Sequence, residues 1–197
     1  MTTTKRTETS GIERISAQID CSLATIKSLH GELDNLDAIC RVIVDALKAG
    51  RKIMTAGNGG SAAESLHFAE ELSGRFRHDR VALPGMALPA DVTAITCIGN
   101  DFGFEYVFSR QVEAFGQPGD ILILFTTSGN SSNLPPALEA AQARDVKVVC
   151  LLGKDGGTLA GRGDYEIIVP GRAGEHIQEA HQVILHLVLD AVEIAFT

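Results

Sequence analysis

Tryptophan is absent from this 197-residue chain, tyrosine occurs twice, and six prolines stand against twenty glycines. Glycine follows no period, which excludes a collagen-like chain, and the balance suits tight turns beside close-packed helices better than disorder. Positive charge is also short. Seventeen basic residues face twenty-five acidic ones, for a formal charge of -8. A protein that tracks a nucleic-acid backbone needs the opposite balance or a basic cluster, so no nucleic-acid partner is expected. A phosphorylated metabolite is still admissible, because a helix N-terminus binds one without net positive charge. The four cysteines, Cys21, Cys40, Cys97 and Cys150, form no C-x-x-C. Cys97 and Cys150 lie in apolar runs, where a buried free thiol is expected. No run approaches the roughly 18 apolar residues of a membrane span, and "MTTTKRTETSG" has no apolar leader core. A soluble, cytoplasmic protein without a membrane partner is the expectation.

Apolar residues make up 45% of the chain, enough for a real core. Ile12, Ile15, Ile19, Leu23, Ile26 and Leu29 recur at helical spacing, and Ile39, Val42, Ile43, Ala46 and Leu47 mark a second helix stopped by Gly50. The pattern then changes. "KIMTAG", "DILILFTT", "KVVCLLG" and "YEIIVPG" read as strands, while "VALPGMAL" and "VTAITCIG" each offer a short strand or turn. "FEYVFSRQVEAFG", "LPPALEAAQARD" and the stretch from about Glu175 to Phe196 read as helices. Near-continuous apolar strands separated by helices predict a three-layer α/β sandwich around a mostly parallel sheet. Residues 1–10 are expected to be a flexible N-terminus. Residues 11–197 form a single domain, with 11–49 a helical arm and 50–197 the α/β core.

Two turns, "AGNGGSAAES" and "TTSGNSSNL", follow apolar strands and precede helices. Their glycines allow close approach to an anion, and Ser61, Thr126, Thr127, Ser128 and Ser131 offer hydroxyl donors beside a helix dipole. Ser61 and Ser131 could equally be ordinary N-caps. Neither turn has a nucleotide-binding fingerprint. His67 and Glu71 are four residues apart on one helix face, as a metal-ligand pair, a histidine with its carboxylate orienter, or a surface ion pair. The nearby "GRFRHDR" reads as a solvated face. On the last helix, His186 lies in an apolar stretch with Gln178 eight residues before it, while His176 and His181 look more peripheral. Asp101 is a helix cap or an acid facing the same cleft. If His67, Glu71, Gln178 and His186 converge, they suit either a divalent ion such as zinc or proton transfer beside a carbonyl.

The segments "GNGGSAAESLHFAEELSGR", "CIGNDFGFEYVFSR", "TTSGNSSN", "LLGKDGG" and "HIQEAHQVILH" together resemble the phosphoheptose isomerase family of the SIS fold, a flavodoxin-like architecture. The resemblance covers nearly the whole chain. It implies an aldose–ketose isomerase that converts sedoheptulose 7-phosphate to D-glycero-D-manno-heptose 7-phosphate, a precursor of lipopolysaccharide, capsule or related glycoconjugates. It also implies a homotetramer with active sites between subunits, and bound zinc. By the same resemblance, His67, Glu71, Gln178 and His186 match the metal positions, with Glu71 also the catalytic base and His186 the acid. Asn58, Gly59, Gly60, Ser61, Glu71, Asn100, Asp101, Thr126, Thr127, Ser128, Ser131 and Gln178 match substrate-binding positions. Three departures stand out. Thr126 replaces a usual serine, Glu64 replaces a common aspartate, and Ala62 replaces a residue that is polar in some members. Isomerisation of another sugar phosphate is the alternative activity. A non-catalytic alternative comes from relatives of this fold that bind the bacterial replication initiator. Those lack part of the acid–base set, whereas this chain keeps all four residues.

Overall fold

A computed structural model describes residues 10–197 of the chain. The expected flexible segment 1–10 therefore lies outside the described residues, apart from Ser10. That serine opens α1 (Gly11–Ser28) with a reciprocal capping box, its hydroxyl accepting from the Glu13 N–H while the Glu13 carboxylate accepts from the Ser10 N–H. A 3₁₀ turn, Leu29–Glu32, leads into α2 (Leu33–Lys48), which buries Leu36, Ile39, Val42, Ile43, Ala46 and Leu47 along one stripe. The segment 11–49 is two helices, but α2 does not stand apart as an arm: its buried stripe belongs to the same core as the sheet. The apolar stripe of α1 does not face this core, however. Ile12, Ile15, Ile19 and Leu23 are all exposed, and α1 reaches α7 through Gln18 and Ser22, which bond to His176.

Five strands follow: β1 (Ile53–Gly57), β2 (Gly85–Ala87), β3 (Ile121–Thr126), β4 (Lys147–Gly153) and β5 (Tyr165–Val169). All pair in parallel in the order β2-β1-β3-β4-β5. Strands β1 and β3 are buried along their whole length because both faces are covered. On one face, α2, α3 (Gly60–Ser73) and α7 (Gly174–Phe196) pack over Ile53, Ile121, Ile123 and Phe125. On the other, α5 (Ser109–Phe115) and α6 (Leu134–Gln142) pack over Met54, Leu122, Leu124 and Cys150. The expected three-layer sandwich is present, and its sheet is wholly parallel.

The segment "VTAITCIG" is neither strand nor turn. It forms α4 (Val92–Asp101), because Asp91 caps the helix by accepting from the Ala94 N–H at 2.9 Å and this overrides the β-branched composition. Cys97 is consequently exposed on α4 and not buried, whereas Cys150 is buried in β4 as expected. The stretch "FEYVFSRQVEAFG" divides into a 3₁₀ turn, Phe104–Tyr106, and α5.

Candidate active site at the switch between β1 and β3

Strand order reverses between β1 and β3, the place where open parallel sheets leave a crevice beyond their carboxyl ends. Gly57 of β1 pairs with Phe125 of β3, so the two glycine-rich turns leave the sheet side by side. Gly59 sits at φ +56 and ψ -121, a conformation that only glycine adopts cheaply. The position before α3 is Gly59 and the position before α6 is Asn133, and neither helix has a side-chain cap. Ser61 and Ser131 are therefore not capping serines. They line a cavity of about 70 Å³ with Asn58, Thr126, Thr127, Ser128 and Gln178. Thr126 Oγ1 accepts from the Gly129 N–H at 3.1 Å, which shapes the turn around the cavity. A methyl on Gly129 would lie 1.8 Å from the Gly156 carbonyl, so the "LLGKDGG" turn braces it from behind. The Asn58 carboxamide is engaged with Asn133.

A second, larger cleft of about 510 Å³ opens next to the first, between α3 and α7. Gly60, Glu64 and His67 line one side, and Gln178 and Gln182 the other. His67 Nε2 lies 3.2 Å from Glu71 Oε1, and its ring meets that of His186 edge-on at 5.4 Å between centroids. The Gln182 amide nitrogen bridges the two imidazoles, 2.6 Å from His67 Nδ1 and 3.3 Å from His186 Nε2. With the amide donating to Nδ1, the His67 proton sits on Nε2 and points to Glu71. Burial holds the His186 imidazole below its ordinary range. His67 and Arg77 push the same way, and Glu71 opposes them. The neutral imidazole is the form that binds a metal or accepts a proton.

His67, Glu70 and Glu71 bring donor atoms within 4.8 Å of one another, a set that could hold a divalent ion, and His186 packs against the His67 ring outside that group. Glu70 is the exposed member of the three. Gln178 lies against Gly60 and borders both cavities, and the amide between the rings belongs to Gln182. Asn100 and Asp101 stand apart. Both are exposed at the end of α4, bonded to each other at 2.7 Å, and neither lines the two cavities. Asp101 does not cap the following turn.

Sequence reasoning passes over two residues here and misplaces two histidines. Gln182 completes an i, i+4, i+8 ladder with Gln178 and His186, a signal that periodicity carries. Asn133 is fully buried opposite Asn58, which no local pattern announces. His181, expected to be peripheral, is completely buried and donates to the Leu152 carbonyl at 3.2 Å, with burial pushing its pKa down to about 4. His176, also expected to be peripheral, is buried under α1.

Glu64 is the other group that stands out. Neither carboxyl oxygen meets a donor in hydrogen-bond geometry, and both are shielded from water. Burial raises its pKa to about 7, with the nearby Ser61 hydroxyl offsetting part of the rise.

Residues 18–153 match the SIS domain family. A phosphoheptose isomerase of Yersinia enterocolitica is 45% identical over 184 residues, covering 91% of this chain and 94% of its own. One from Fusobacterium nucleatum is 46% identical over 162 residues, covering 82% and 83%. The solved phosphoheptose isomerase of Neisseria gonorrhoeae superposes with a TM-score of 0.87 at 36% identity, covering 94% of this chain and all of that one. With the fold, the switch-point turns and the histidine–glutamate cleft in place, the chain belongs to the SIS domain family, among its phosphoheptose isomerases.

Proposed function

We propose that the chain interconverts sedoheptulose 7-phosphate and D-glycero-D-manno-heptose 7-phosphate through an enediol(ate). The observation that carries this reading is the position of Gln178, which lines both the hydroxyl-rich cavity and the His67 cleft. One wall joins a phosphate-type pocket to the cleft lined by His67, whose ring contacts both Glu71 and His186, as an extended sugar phosphate requires. The phosphate occupies the turn of Thr126, Thr127, Ser128 and Ser131, with Ser61 and the backbone of Asn58, Gly59 and Gly60 along the chain of hydroxyls. Anchoring the far end places the reacting carbons beside α3 and α7.

Glu71 takes a proton from C1 of the ketose and returns it to C2, and His186 moves the proton between the two oxygens. The contact with His67 uses Glu71 Oε1, which leaves Oε2 for carbon. His67, Glu71, His186 and the amide oxygen of Gln178 would hold zinc, which supplies polarisation of the carbonyl. Gln182 keeps the two imidazoles in register.

We further propose a homotetramer with active sites at subunit interfaces. The unpartnered stripe Ile12, Ile15, Ile19 and Leu23 on α1 supports association. The exposed Asn100 and Asp101 on α4 would serve as substrate contacts across such an interface.

The test is proton-exchange NMR in heavy water with sedoheptulose 7-phosphate and zinc supplied. Solvent deuterium entering C2 of an aldoheptose phosphate is the expected result. A folded, zinc-supplied protein that exchanges no proton on any ketose phosphate would overturn the assignment.

A further inference from the structure

The loop from Gly74 to Pro84, between α3 and β2, carries "GRFRHDR" and has the composition of a solvated face. Its contacts are of another kind. The Phe76 ring stacks on His186, with centroids 5.8 Å apart and planes 23° from parallel. The Arg77 guanidinium covers Phe76 at 4.6 Å and is paired with Asp190 on α7. The backbone N–H groups of Arg77 and His78 both donate to Glu193 Oε1. The Arg80 side chain is 1% exposed and lies 3.6 Å from Glu193 Oε2. Its guanidinium donates to the carbonyls of Glu71 at 2.5 Å, Leu72 at 2.8 Å and Val81 at 2.9 Å.

The last carbonyls of a helix have no partner within it, and here a buried arginine satisfies those at the turn that carries Glu71. The His186 ring is held on three sides, by His67, Gln182 and Phe76. We propose that the loop is a positioning strap: Phe76 fixes the plane of His186, and Arg80, anchored on Glu193, fixes the helical turn bearing Glu71. The inference rests on the assignment of Glu71 and His186 as the proton-handling pair. Proton transfer tolerates little misplacement, and a shift of about 1 Å costs up to about a hundredfold in rate. Phe76 and Arg80 are positioning residues, and neither lines the two cavities.

The test compares Phe76→Leu, which keeps apolar bulk without a flat face, with Phe76→Tyr, which keeps the ring. Arg80→Lys keeps the charge near Glu193 but cannot span three carbonyls. Phe76→Leu and Arg80→Lys should each lower kcat about tenfold or more with KM within about twofold, and Phe76→Tyr should stay near the parent. Folding is checked by circular dichroism, and Phe76→Met replaces the leucine variant if that one does not fold. Parental kcat in folded Phe76→Leu and Arg80→Lys, or a change in KM alone, overturns the strap. Glu71→Gln and His186→Gln separate the two failures. If these keep parental kcat, the assignment of the pair is wrong; if they lose it while the strap variants do not, only the strap is wrong.

Discussion

Asn58 and Asn133 exchange two carboxamide hydrogen bonds, each 2.9 Å long, between the turn after β1 and the start of α6. A reciprocal amide pair fixes both distance and orientation, so the two walls of the hydroxyl-lined cavity are held at a set separation. Asn133→Ala removes one partner and leaves the Asn58 amide part-buried without its bonds. The expected loss is about 1–3 kcal/mol of stability in urea denaturation. KM for the sugar phosphate should rise more than kcat falls, because the variant disturbs anchoring and leaves Glu71 and His186 in place. Unchanged stability and KM would show that the pair is incidental to both.

Glu64 makes stability depend on pH with a definite sign. Its folded pKa, about 7, lies above the ordinary 4.5. The folded chain therefore holds this proton more tightly than the unfolded chain. The contribution is fully present below about pH 4.5 and is lost as pH rises through 7. The difference amounts to about 3 kcal/mol. Glu64→Gln cannot ionise, so it should melt above the parent at pH 8 and converge with it near pH 5. Melting curves taken with a chelator, which removes the influence of bound cations, check this. A variant that melts below the parent at pH 8 would contradict the buried, unpartnered carboxylate.

Much of this architecture was readable in the chain. β1 and β3 announce themselves as apolar runs that stop at glycine-rich turns, and His67 and Glu71 fall on one helix face by spacing alone. α4 was not readable, because Val92, Thr93, Ile95 and Thr96 favour strands and a single capping bond from Asp91 decides the outcome. The histidines of α7 were ranked by how apolar their neighbours are, but burial follows rotation about the helix. His181 falls inside the stripe of Ile177, Ala180, Ile184 and Leu185, and His186 falls at its edge. The strap and the Asn58–Asn133 pair join residues far apart in sequence, and no local pattern encodes such contacts.

The exposed stripe on α1 predicts association through that helix. Ile12, Ile15, Ile19 and Leu23 are each more than half exposed, and α1 itself buries no residue. Ile15→Glu with Ile19→Glu places two charges on the face expected to mate with a second copy. Light scattering should show the mass falling from the parental assembly to a smaller species, while circular dichroism stays near that of the parent. If the parent already has the mass of one chain, or the double variant keeps the parental mass, this helix is not the contact.

Gly60 offers a way to separate folding from function. A methyl there would meet the Gln178 carboxamide, 2.3 Å from its nitrogen and 2.8 Å from its carbon. The obstruction is the end of a flexible side chain, so the backbone can accept the methyl by turning Gln178 away. Alanine is also favoured over glycine in a helix by up to about 1 kcal/mol, and Gly60 is the first residue of α3. Gly60→Ala should therefore melt at or above the parental temperature and still lose activity, about tenfold or more, because Gln178 leaves the wall shared by the two cavities. A variant equally stable and fully active would remove Gln178 from the site. One that is inactive because it is unfolded would show that Gly60 is needed for the turn itself.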